Sequence, residues 1–214
     1  MKKITLLICA MLLTTLLWGG NEKYYKKMAE TLQGFNACTT VEDFQDLANR
    51  FQVIGNVETG EWLPIYYEAQ CYILIGFMNQ LSGEDRDAYL EKASSLVDAL
   101  KEKASHEAEV EVLEAFYLTG SLLVNPPQRA MSTTHLIHSA LARALAIEPN
   151  NPRAIFMRIS NEIGTARYFG SDTGPLCEEA RILLENWDKY ERKSPIHPNW
   201  GREDAEGIVR GCGE

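Results

Sequence analysis

The stretch Ser139 to Phe156, S-A-L-A-R-A-L-A-I-E-P-N-N-P-R-A-I-F, constrains the chain most. Ala140, Ala144 and Ile147 recur at helical spacing, and Pro149 stops the helix they form. Pro152 suits the first turn of a second helix, because the amide it lacks has no intrahelical partner there. A helix end, a two-proline turn and a helix start thus fall within eighteen residues, and the small alanines allow close packing between helices.

The rest of the chain carries the same pattern. From Asn21 onward apolar residues fall on helical faces, and no segment sustains the alternation of a half-buried strand. The first helix carries Tyr24, Tyr25, Met28 and Leu32. Thr40 opens the second, with Asp43 three residues on in a capping-box arrangement and Phe44, Leu47, Ala48 and Phe51 on its stripe. Trp62 to Asn79 is apolar enough to be buried on more than one side. Further helices are expected from Gly83 to Ala104, His106 to Val124, Ser132 to Glu148, Pro152 to Tyr168 and Gly174 to Glu191. Asn125-Pro126-Pro127 predicts a firm break, with a turn reaching Ser132. A short last helix follows Trp200. These are about nine helices and an all-α chain.

A faint internal period supports stacking. Tyr66, Val110, Ile155 and Trp200 each open a helix and lie 44, 45 and 45 residues apart. The run at Ala144, Leu145, Pro149 and Asn151 resembles the helix-B end, A-L-x-x-x-P-x-N-P, of a tetratricopeptide (TPR) repeat. HEAT-like repeats, with periods of about 40 to 47 residues, are the rival architecture. Together with E-W-L-P-x-Y-Y at Glu61 to Tyr67, N-P-R at Asn151 to Arg153, Phe169-Gly170 and P-N-W-G at Pro198 to Gly201, the chain is similar to a group of exported bacterial TPR-like proteins. The resemblance implies a right-handed α-α superhelix, a TPR-like solenoid, whose concave face binds a partner.

Met1-Lys2-Lys3 followed by an apolar run from Ile4 to Trp18 reads as a signal peptide over residues 1–20, with residues 21–214 forming one solenoid domain in the periplasm. Without residues 1–20 the chain has 30 acidic and 19 basic side chains, a net charge of −11. Such a surface repels phosphate backbones, so nucleic acid is not an expected partner. Four cysteines remain, Cys38, Cys71, Cys177 and Cys212. A Cys177 to Cys212 bridge is expected because it would staple the chain end to the last long helix. For Cys38 and Cys71, bridging and buried free thiols weigh equally.

Catalytic and metal signals are weak. Asp172-Thr173-Gly174 matches the aspartic protease triplet, but it has no second copy and joins helices, so Thr173 reads better as a helix cap. His135 and His138 share a helix face without a carboxylate within a turn, so no metal site is expected. No cofactor motif appears.

The functional expectation is a non-enzymatic scaffold for a protein or peptide partner in the cell envelope. A periplasmic small-molecule binding or transport-accessory protein is the alternative, and an envelope enzyme the second. In a TPR-like register the partner-binding groove consists of Tyr67, Glu111, Arg153, Phe156 and Ser160, each rotated away from the stripe that packs within a helix pair.

Overall fold

A computed structural model describes residues 22–190 and 192–212. The expected signal peptide, residues 1–20, lies outside the described residues. Nine α-helices and no strands occur among those described: α1 (22–32), α2 (Val41–Val57), α3 (Leu63–Gly76), α4 (Gly83–Ala104), α5 (Ala108–Val124), α6 (Pro126–Ile147), α7 (Pro152–Phe169), α8 (Gly174–Asn186) and α9 (Arg202–Arg210).

Local chemistry explains most boundaries. At α2 the Thr40 hydroxyl accepts from the Asp43 amide, and the Asp43 carboxylate accepts from the Thr40 amide at 3.0 Å, a complete capping box. At α7 the Asn151 side chain accepts from the amides of Arg153 and Ala154, and Pro152 occupies the first turn. Gly170, in the left-handed region at φ 67°, ends that helix.

Three local expectations are corrected. The break at Asn125-Pro126-Pro127 is a single-residue joint, and α6 begins at once, because prolines in a first turn forfeit no intrahelical bond. Thr173 holds the N-cap position of α8 as expected, but its hydroxyl accepts no helix amide; Asp172 Oδ1 accepts from the Gly174 amide at 2.8 Å instead. Finally, α8 stops at Asn186, short of Glu191, where a 3-10 turn (Trp187–Lys189) rotates the indole of Trp187 into the core.

Successive helices pack on one another throughout α2 to α9, and a second set of contacts joins α3 to α5, α5 to α7 and α7 to α9. This is a two-layer stack in which the odd-numbered helices form one continuous layer. Side-chain bonds between units repeat the period seen in the sequence. Gln45 to Tyr89, Arg129 to Asp87, Asn151 to Glu109 and Tyr190 to Glu148 each join residues 42 or 44 apart. The fifth helix serves both halves of the interior: Val110 and Leu113 belong to the apolar cluster around α2, α3 and α4, whereas Val112 and Ala115 belong to the cluster around α6 to α9.

The last unit curls back onto the first. Trp200 Nε1 donates to the Tyr66 hydroxyl at 2.9 Å, and the Tyr67 hydroxyl donates to the Ile196 carbonyl at 2.7 Å. The segment between Pro195 and Gly201 therefore lies across α3, closing one side of the odd-numbered layer.

Candidate functional site

This closure creates a cleft of about 560 Å³ between the end of α1, the following 3-10 turn (Gln33–Ala37), the inner faces of α2, α3 and α5, and the returning C-terminal segment. The volume lies within the range of small-molecule pockets. Its walls are mainly apolar and aromatic: Phe35, Phe44, Tyr67, Leu74, Phe116 and Trp200. Phe77, Phe116 and Trp200 stack in series at successive centroid distances of 5.0 Å, so the residue that ends α3, α5 and the C-terminal segment each contribute a ring. Phe35, Phe44, Phe116 and Trp200 remain half-buried.

Two polar groups in the cleft wall lack partners. Gln70 Oε1 and His197 Nε2 are buried and make no hydrogen bond among the described residues. A buried polar atom left unpaired costs about 1–3 kcal/mol, which a ligand contact can offset. The His197 ring packs edge-on against Trp62 at 5.5 Å. Burial lowers its pKa, so the imidazole is held neutral.

A second recess, of about 350 Å³, adjoins the first, and Asn199 lines both. Here the walls are polar: Arg153, Asp188, Tyr190, Arg192 and Arg202, with Trp187 at the base. Arg153 is buried and held bidentately by Glu109, Nε donating to Oε2 at 2.8 Å and Nη2 to Oε1 at 2.6 Å. Its guanidinium lies over the Tyr190 ring at 5.4 Å. Arg202 pairs with Asp188. Arg192 is exposed.

Of the five residues expected to form a groove, the structure brings two to this region. Tyr67 lies on the cleft wall, stacked on Phe51 at 5.2 Å, and Arg153 lies in the recess. Both are almost wholly buried, 3% and 1% exposed. Glu111 instead accepts from Arg143 Nε at 2.9 Å. Phe156 packs in the second apolar cluster beside Gly201, and Ser160 is half-buried on α7. These five make no continuous open surface, because four of them are buried and Ser160 is half-buried. Phe116, His197, Asn199 and Trp200 also line the cleft, and the sequence does not mark them as site residues. The P-N-W-G run was the one local sign, and nothing in it announces contact with α3.

Cys177 and Cys212 are disulfide-bonded. Cys38 and Cys71 are free thiols, with the Cys38 Sγ donating to the Gly34 carbonyl at 3.3 Å. His135 is exposed and His138 half-buried on α6, and Asp172 caps α8.

No protein-family model matches the chain, and no curated protein sequence does. Its fold is similar to a solved structure, the HusA haemophore from Porphyromonas gingivalis, with 26% sequence identity, a TM-score of 0.75, and 88% of this chain and 92% of that one covered.

Proposed function

We propose that this chain is an exported, non-enzymatic binding protein that carries haem or a closely related tetrapyrrole in the cleft between α1, α3, α5 and the C-terminal segment. The observation that carries the reading is the likeness to a haemophore over most of both chains. The cleft supports it, because a flat apolar macrocycle needs aromatic walls and a wide mouth, and the half-buried rings of Phe35, Phe44 and Trp200 line it. This reading puts a small molecule, rather than a protein or peptide of the cell envelope, in first place. Export is supported by the Cys177–Cys212 bridge, since disulfides persist in oxidising compartments.

Titration with haem, followed by its absorbance change and by quenching of tryptophan emission, tests the proposal. Saturable binding of about one haem per chain is expected. Phe35→Ala and Phe44→Ala should each weaken it roughly three- to ten-fold, the worth of one ring contact, while thermal melts confirm folding. Absence of saturation, or affinity unchanged in both variants, overturns the assignment.

A further inference from the structure

The cleft and the recess beside it differ sharply in chemistry and share a wall. One is aromatic and apolar; the other gathers three guanidinium groups, Arg153, Arg192 and Arg202, in a chain whose net charge is −9. Asn199 borders both, and its exposed position places the two pockets side by side at the surface.

Two of the three cations are already engaged. Glu109 holds Arg153 and Asp188 holds Arg202, whereas Arg192 forms no ion pair among the described residues. A further source of positive potential adjoins them. The first turn of α9 begins at Arg202, and its N-cap is Gly201, at φ 97°, which has no side chain to accept from the amides of that turn. A Cβ at this position would meet Phe156, Trp187 and Arg153 at 3.3 to 3.6 Å, and the positive φ independently favours glycine.

We propose that the recess seats a carboxylate of the ligand whose apolar body fills the cleft, with Arg192 as its principal donor and Arg202 beside it. The two pockets then form one site for an amphiphile. This inference rests on the tetrapyrrole reading, since haem carries two carboxylate side chains at one edge of a flat apolar ring. An arginine fork matches a carboxylate bidentately, and an apolar cleft alone has no means of setting which edge of the ring enters first.

The test compares metal-free protoporphyrin with its dimethyl ester, which keeps the ring and removes both negative charges. Full-length mature protein should bind the diacid about ten-fold or more tightly than the ester, the worth of one charge-assisted contact. Arg192→Gln should remove most of that difference by weakening the diacid alone. Arg192→Glu should weaken the diacid further while leaving the ester unchanged. The exposed position of Arg192 means that neither change disturbs the core, which circular dichroism melts will verify. Equal affinity of the wild-type protein for diacid and ester overturns the carboxylate seat and leaves the tetrapyrrole reading standing. Equal weakening of both forms by Arg192→Gln also overturns it. Failure to bind either form overturns both readings.

Discussion

Glu68 is an acid on a helix surrounded by packing partners. It lies on α3, 6% exposed, and accepts from Gln52 Nε2 at 3.2 Å. Removal from water raises its carboxyl from an ordinary 4.5 to about 7, and the Gln52 bond offsets this only in part. Between those two values the folded chain holds a proton that the unfolded chain has released, so the contribution of Glu68 to stability is fullest below pH 4.5 and is lost as pH rises through 7. The loss across that window is about 3 kcal/mol. Glu68→Gln keeps an oxygen for Gln52 and cannot ionise. It should leave stability nearly unchanged at pH 4 and raise it by about 3 kcal/mol at pH 8. Denaturant unfolding at both pH values measures this, and an equal change at the two would refute the account. Asn151 shows the opposite case, a buried polar residue fully used: its oxygen caps α7 and its amide nitrogen donates to Glu109 at 2.6 Å. Its capping role is legible in N-P-R, but its tie to Glu109, 42 residues away, is not.

The elements differ in what secures them. The central helices α3 and α5 are held by neighbours on several sides, whereas α9 is nine residues long and lies at the end of the stack, next to α7 and α8. Isolated helices of that length are marginal in water. The Cys177–Cys212 bridge ties the end of α9 to the first turn of α8 across 35 residues. By chain entropy such a loop is worth about 4 kcal/mol. Reduction, or Cys177→Ser with Cys212→Ser, should therefore lower the unfolding free energy by a few kcal/mol, with early loss of protection in hydrogen exchange over 202–210. Unchanged stability in the reduced protein would show that packing alone holds α9. The Asn125-Pro126-Pro127 joint makes a complementary point. Its prolines read as a break, and they do interrupt the helix, but first-turn tolerance of proline lets the next helix begin without a loop.

At the scale of the molecule, the stack is curled rather than open. The Tyr66–Trp200 hydrogen bond joins positions three periods apart, and it turns the inner face of a solenoid into a cleft with a floor and a wall. No helix among the described residues is long and apolar enough to cross a membrane. The proposed route of the chain out of the cytoplasm rests on residues 1–20. If they direct export and are removed, terminal sequencing of protein recovered from the envelope should find a start near Asn21. A soluble cytosolic form beginning at Met1 would contradict export.

What the sequence by itself determined is whatever local chemistry decides. Helical periodicity predicts the all-α class, proline and capping residues mark most helix ends, and Tyr66, Val110, Ile155 and Trp200 mark the period that later appears as bonds between units. These depend on neighbours within a turn or two, where covalent geometry limits the choices. Only the tertiary structure decided the cleft. Its rings come from the 3-10 turn after α1, from α2, α3 and α5, and from the C-terminal segment, and the bond that closes it joins residues 134 apart. Small rotations between successive units accumulate along a solenoid, and that sum determines whether its ends meet. The five expected groove residues illustrate the difference. Their helical register put Tyr67 and Arg153 on the side facing the interior, but the returning segment, which covers that side, is a property of the whole curl. Arg192 and Trp200, eight residues apart on either side of two prolines, come to line adjoining pockets only once that curl brings the recess and the cleft together around Asn199.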